Sequence, residues 1–126
     1  MKDITKEKCL EKICNLPVDF KVSGKSSVEL LLESKFLEFS REISQQEIKN
    51  YLLLKRNLID NWKIWSENKR TLGCYLLINS EKYFIGSLDK NGNGNFSKSF
   101  KTAEDACAEF ILREISAILE IKIDFV

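Results

Sequence analysis

The sequence predicts an α+β domain: an N-terminal group of about three helices, an antiparallel sheet of three to four strands, and a long C-terminal helix packed on that sheet. Two observations support this prediction. Between residues 72 and 100, aromatic and β-branched residues collect in short runs that polar or glycine-rich turns separate, as in a β-meander. After Thr102 the apolar residues recur every three to four positions, which is the spacing of a helix that buries one face.

Length and composition indicate one ordered domain over residues 1–126. The chain is 44% hydrophobic and 31% charged and contains a single proline, which is typical of a compact domain of ordinary size. Its net charge of +1 supplies no overall field for nucleic acid or an anionic membrane. The first eight residues lack the apolar core of a signal peptide, and no apolar run could span a bilayer, so we expect a cytoplasmic protein.

Capping residues predict where the first two helices begin. The first helix starts after the N-cap Thr5 and ends at about Asn15. Residues 17–25 are predicted as a loop or a short extended piece. The second helix starts after the N-cap Ser26 and covers residues 27–39, where apolar residues recur at helical spacing.

The strongest local pattern in the N-terminal half begins a third helix. Ser44 and Glu47 match a capping box, in which each side chain accepts a hydrogen bond from the other residue's backbone N–H. The apolar stripe that follows predicts a helix as far as Asn61. Residues 62–66 are predicted as an extended stretch, and residues 67–70 as a polar turn.

The sheet is predicted from three segments and the turns between them. Residues 72–78 and 83–88 form the first two strands, with a polar turn between them. Residues 89–95 form a loop rich in asparagine and glycine, both of which tolerate positive φ, and the third strand follows.

The closing helix is predicted to begin after the N-cap Thr102 and to end at about Leu119. Its apolar stripe is continuous, so we expect Cys107 and Phe110 to be buried against the sheet. Residues 121–125 alternate apolar and charged side chains, which indicates either a short last strand or a frayed helix end.

Two partial motifs in the sequence lack residues that their chemistry requires. Residues 89–95 resemble the start of an EF-hand calcium loop, but Phe100 stands where that loop needs a bidentate glutamate. Residues 24–26 read Gly-Lys-Ser, the end of a phosphate-binding loop, but Asp19 stands where that loop needs its first glycine. We therefore interpret the first as a hairpin loop and the second as a helix cap.

The sequence offers no assembled catalytic or metal-binding set. It contains no histidine, the commonest general base and metal ligand. The neighbours Glu104 and Asp105 diverge on a helix and do not form the facing carboxylate pair of a hydrolase. The cysteines do not form two zinc-binding pairs and are interpreted as reduced core residues: Cys9, Cys14, Cys74 and Cys107. We expect no enzyme activity, no cofactor and no metal.

Three segments resemble the small immunity proteins encoded beside bacterial polymorphic toxins, with contact-dependent growth inhibition systems as the nearest comparison. They are residues 62–73 (WKIWSENKRTLG), residues 83–86 (YFIG) and residues 106–111 (ACAEFI). The resemblance implies a cytoplasmic, non-enzymatic inhibitor that binds one cognate toxin domain and occludes or distorts its active site. It implies neither a membrane nor a small-molecule substrate.

The charge distribution suggests where such a toxin would bind. Residues 101–126 contain six acidic and three basic side chains, and many toxins of these systems are nucleases with basic clefts. Complementary charge speeds association and selects the partner. Most carboxylates of the closing helix are expected to lie outside its buried stripe. The candidate toxin-binding residues are Glu104, Asp105, Glu109 and Glu114, with Asp89 and Asn91 of the polar loop; Glu120 and Asp124 extend the set.

The alternative is a small nucleic-acid-binding module that uses a basic sheet and its loops. Residues 61–100 contain six basic and three acidic side chains. The basic residues that would line the sheet and loops are Lys63, Lys69, Arg70, Lys82, Lys90, Lys98 and Lys101. The nearly neutral total charge and the acidic final helix disfavour this alternative. The neighbouring gene distinguishes the two, because an upstream toxin domain favours immunity.

Overall fold

The computed structural model describes residues 5–68, 74–79, 82–88 and 94–123, and within these ranges the chain forms seven helices and three strands. The first six helices are α1 (Lys6–Cys14), α2 (Leu16–Ser23), α3 (Ser27–Glu33), α4 (Phe36–Phe39), α5 (Gln45–Leu54) and α6 (Asn57–Asn68). The remaining elements are β1 (Cys74–Ile78), β2 (Tyr83–Leu88), β3 (Gly94–Phe100) and α7 (Ala103–Leu119). The predicted α+β class, with an antiparallel sheet and a long C-terminal helix, is confirmed.

Helix α7 is the central element of the fold. The Thr102 side chain caps it by accepting a hydrogen bond from the backbone N–H of Asp105 at 3.2 Å. The helix contacts all three strands on one side and α3, α5 and α6 on others. Cys107 and Phe110 are fully buried, as predicted. Because α7 has neighbours on several sides, its buried surface is wider than a single apolar stripe.

The three strands form a meander in the order β1-β2-β3, with both pairings antiparallel. Leu76, Ile85 and Lys98 lie in one cross-strand row. This row faces α7, because Leu76 and Ile85 are buried and the Lys98 side chain reaches α7. Side chains alternate between the faces of a strand, so Tyr75 and its cross-strand partner Gly86 lie on the opposite, outer face.

Helix α2 occupies residues that the sequence analysis assigned to a loop, so that prediction is wrong. Pro17 lies in the first turn of α2, where a backbone N–H has no helical partner to lose. Gly24 ends the helix with a φ of 74°, a left-handed conformation that costs glycine little. Ser26 then caps α3 by accepting from the N–H of Glu29 at 3.1 Å, which confirms its predicted role.

The predicted helix over residues 27–39 is divided at Ser34 and Lys35. The buried Ser34 hydroxyl donates to the Leu31 carbonyl at 2.6 Å and accepts from the N–H of Phe36 at 3.2 Å. Lys35 adopts a left-handed conformation with a φ of 65°. The resulting turn brings Phe36 into the core, where it is fully buried. Burial of an aromatic ring outweighs the modest cost of one left-handed lysine.

The third predicted helix begins as expected, with the complete capping box of Ser44 and Glu47, but it ends earlier. Helix α5 ends at Leu54, and α6 begins at Asn57. Helix α6 includes residues 62–66, which were predicted to be extended, so that prediction is wrong. Tertiary contacts explain the helix: Trp62 is fully buried, donates from Nε1 to the Cys14 carbonyl at 2.9 Å, and packs edge-to-face on Phe110 at 6.1 Å.

The end of α7 is a capped turn, and residues 121–123 form no strand. Glu120 takes a left-handed conformation, and the N–H of Ile121 donates to the Ser116 carbonyl at 3.0 Å. The Ser116 hydroxyl donates to the Ile121 carbonyl at 2.5 Å. The rest of the alternating tail lies outside the described residues.

The buried apolar side chains of the described residues form one connected core that includes residues from both helical groups and the sheet. Its thiols are Cys9, Cys14 and Cys107, which are all buried and free, while Cys74 is half-buried and packs against the core. No helix in the described ranges combines the length and hydropathy needed to cross a bilayer.

Candidate functional site

Glu109, predicted to contact the toxin, lies inside the protein. Its carboxylate is fully buried and accepts hydrogen bonds from Lys98 Nζ at 2.6 Å and from Arg113 Nε at 2.9 Å. The lysine comes from β3 and the arginine from the next turn of α7. The two cations offset the charge of this carboxylate within the fold. The expectation that Glu109 faces solvent is therefore wrong.

Two further carboxylates of α7 are also buried, against expectation. Glu114 is 3% exposed and accepts from the indole Nε1 of Trp65 at 2.8 Å. Glu104 is 8% exposed and lies 3.6 Å from the guanidinium of Arg56. Helices α5 and α6 cover the side of α7 that does not face the sheet, which explains why both carboxylates are buried.

Asp105 keeps about a third of its side chain exposed and pairs with Lys49 at 3.0 Å. Its carboxylate also accepts from the Thr102 hydroxyl at 2.8 Å, so it takes part in capping α7. The other two candidate residues, Asp89 and Asn91, lie outside the described residues, as does most of the loop that resembles a calcium site. The structure thus does not bring the four described candidates together on one exposed surface.

Among the described basic residues of the alternative, Lys98 lies within a strand, and the others lie on α6 or beside strand ends. Lys98 points toward α7 and contacts Glu109. Lys63 belongs to α6 and is half-buried, while Lys82 and Lys101 are exposed at the ends of strands. The remaining residues of that set, Lys69, Arg70 and Lys90, lie outside the described ranges.

An apolar groove runs between α2 and α6, with a volume of about 670 Å³. Apolar side chains dominate its lining: Pro17, Val18, Phe20, Val22, Ile64 and Trp65. Three of these are exposed although they are large and apolar: Phe20 at 45%, Val22 at 81% and Ile64 at 53%. A concave surface of this kind is where soluble proteins bind partners or ligands.

Trp65 joins the groove to the core. Phe20 packs edge-to-face on its ring with centroids 5.4 Å apart, and Trp62 packs on it at 5.7 Å. The indole Nε1 donates to the buried Glu114, which fixes the orientation of the ring. The aromatic wall of the groove is therefore held in place before any partner arrives, which reduces the entropy cost of binding.

Polar groups border the groove at few positions. Lys21 is the one charged side chain among the described lining residues, and the rest of the polar lining comes from Asn61 and Asn68 of α6. Lys21 forms no ion pair within the described part of the chain, whereas nearby Lys25 pairs with Glu33 at 2.8 Å. The Lys21 side chain is exposed, so a partner can reach the positive charge beside the groove.

The groove was missed because residues 17–25 were predicted as a loop and residues 62–66 as an extended stretch. A useful pattern was nevertheless present on α6. Asn61, Ile64, Trp65 and Asn68 recur at helical spacing, and together they form one face with an apolar centre and an amide at each end. Helical periodicity therefore continued through the segment that was predicted to be extended.

The buried thiols are unsuited to nucleophilic chemistry. Burial raises the pKa of Cys14 from 9.0 to about 12, and it raises that of Cys9 to about 11. Burial also raises the pKa of Cys107 well above its ordinary value. A thiolate is the reactive form of cysteine, and these thiols stay protonated at neutral pH. In the described residues, no three metal-ligating side chains cluster closely enough to hold an ion.

Comparison of the chain with protein-family models, with curated proteins and with solved structures finds no match.

Proposed function

We propose that this protein is a cytoplasmic immunity protein that binds one cognate bacterial toxin domain, a nuclease, and neutralises it by stoichiometric protein–protein binding. The observation that carries the proposal is the exposed apolar groove between α2 and α6. Phe20, Val22 and Ile64 would leave water in a complex, and burial of apolar surface is the main driving force of association.

The resemblance to immunity proteins supports the same proposal and agrees with the packing. Trp62, in the first resembling segment, contacts Phe110 in the third. Residues 83–86 lie in β2, which packs on α7. The described parts of the resembling segments therefore form a common packed unit, and Ile64 and Trp65 of the first segment also line the groove.

The burial of the α7 carboxylates changes the surface that we propose for toxin binding. Glu104, Glu109 and Glu114 have partners inside the fold, so they contribute little to the electric field outside it. Asp105 is partly exposed and remains available at the edge of α7. We therefore propose the groove as the main contact surface and keep Asp105 as a peripheral candidate.

Co-expression tests the proposal. The protein is produced in bacteria together with the toxin domain encoded immediately upstream, and survival is compared with that of cells producing the toxin alone. We expect full protection. An inactive toxin variant should co-purify with the protein at a one-to-one ratio, because inhibition is by binding and not by turnover.

Two results would contradict the proposal. Cells that die despite expression of both proteins, with no complex on co-purification, would exclude immunity against this toxin. Protection by amounts of protein far below those of the toxin would indicate an enzyme that inactivates it.

A further inference from the structure

We infer that the groove between α2 and α6 receives an amphipathic helix of the toxin domain, with apolar side chains inserted between the groove walls and a carboxylate placed on Lys21. This inference rests on the proposed function, because it names the part of the partner that the inhibitor binds. It goes beyond that function by specifying the contact chemistry on both sides.

The walls of the groove favour a helix as the occupant. Both walls are helices, whose interior backbone groups already bond within the helix, so they offer no row of free donors and acceptors to an added strand. A bound helix satisfies its own backbone and needs only a complementary apolar surface. Exposed rims at Val22 and Ile64 also suit a large partner better than a small ligand, which buries most of its own surface.

The distribution of polar groups specifies the sequence character of that helix. On α6, Ile64 and Trp65 form an apolar centre, with Asn61 and Asn68 about one turn away on each side. A matching helix presents apolar residues to the centre and polar residues to the amides. Lys21 is the charged group of the described lining, so a carboxylate beside the apolar residues gives charge complementarity.

Matched pairs of variants test the contact. Lys21→Glu and Ile64→Ser alter the groove, while Lys55→Glu and Leu54→Ser make the same changes at exposed positions outside its lining. We expect each groove variant to weaken toxin binding at least tenfold, measured by calorimetry with an inactive toxin. The control variants should bind within about twofold of the wild type, since exposed substitutions of this kind leave the fold intact.

These measurements distinguish a failure of the proposed immunity function from a failure of the proposal that the groove binds the toxin. If the wild type forms no complex, the proposed function is wrong. If the wild type binds and Lys21→Glu and Ile64→Ser bind equally well, immunity stands and the groove is not the contact surface. A wild-type dimer that the groove variants dissociate would also overturn the inference, because the groove would then belong to a second copy of the chain.

A probe experiment tests the groove chemistry without any toxin. Decanoate presents an apolar chain and a carboxylate, and decyltrimethylammonium presents a similar chain with a cation. Tryptophan fluorescence, to which Trp65 and the neighbouring Trp62 contribute, should change saturably with decanoate at concentrations below micelle formation. This response should be lost in Lys21→Glu. Equal responses to both amphiphiles, or a response to neither, would overturn the assigned role of Lys21.

Discussion

Glu109 is the residue whose substitution should affect the fold most clearly. Its buried carboxylate separates Lys98 from Arg113, so Glu109→Gln would leave two cations close together without the anion that offsets them. Breaking a buried ion pair in this way costs roughly 3–5 kcal/mol. We expect a loss of about 3 kcal/mol or more in the free energy of unfolding, measured by urea denaturation.

Asp105→Asn is the matched control for that prediction. Asp105 also pairs with a lysine on a neighbouring element, but about a third of its side chain is exposed. A pair in contact with water contributes under about 1 kcal/mol. If Glu109→Gln and Asp105→Asn lower the free energy of unfolding by similar amounts, burial of the Glu109 carboxylate does not explain its contribution to stability.

The burial of Glu109 also marks a limit of sequence reasoning at the residue scale. Capping roles follow from local hydrogen bonds, and those of Ser26, Ser44 and Thr102 were predictable. The position of Glu109 depends on Lys98, which another element brings to it across the sheet. The spacing of residues along one helix does not show which side chains another element places beside it. The Glu109 carboxylate was therefore predicted to lie on the surface.

At the scale of elements, Gly86 and Tyr75 form a cross-strand pair that joins β1 to β2. A side chain at Gly86 would meet the Tyr75 ring, with a Cβ placed only 2.8 Å from Cε1 and closer still to the hydroxyl end. Overpacking of this kind costs about 1–3 kcal/mol. We expect Gly86→Val to lower the free energy of unfolding by about that amount in chemical denaturation.

A double-mutant cycle with Tyr75→Ala identifies the cause of that loss. Without the ring, valine at position 86 has space and suits a strand, so the second substitution should cost little or stabilise the sheet. If Gly86→Val lowers the free energy of unfolding equally with and without the Tyr75 ring, glycine is required for its backbone conformation and not to make room for that ring.

Elements with a complete local pattern were predicted well, and elements defined by packing were not. Helix α7 and strand β2 agree with their predicted ranges, because the capping residue, the spacing of the apolar residues and the flanking turns all indicate the same structure. Helix α2 and the break at Lys35 depend on what the chain packs against, such as the burial of Phe36. Because α2 and the part of α6 after Asn61 were not predicted as helices, the groove that they form was missed as well.

At the scale of the whole molecule, the buried thiols make stability depend on pH in the alkaline range. An exposed thiol in the unfolded chain loses its proton near pH 9.0, while Cys14 keeps its proton in the folded state up to about pH 12. Above pH 9 the unfolded state therefore binds fewer protons than the folded state, and stability falls. Below pH 9 this contribution is fully present.

We expect each such thiol to reduce the free energy of unfolding by about 1.4 kcal/mol per pH unit over the range in which only the unfolded state ionises. Urea denaturation between pH 8.5 and 10 measures the slope. Cys14→Ala should show a shallower slope than the wild type, whatever its stability at pH 8.5. An unchanged slope would show that Cys14 does not contribute to this pH dependence.

The position of α7 in the chain also has a consequence for synthesis. It contacts α3, α5, α6 and all three strands, yet every one of these elements leaves the ribosome before it does. Short helices are only marginally stable without packing partners. The nascent chain therefore keeps the apolar faces that pack on α7 exposed until α7 emerges, and exposed apolar surface of this kind promotes aggregation.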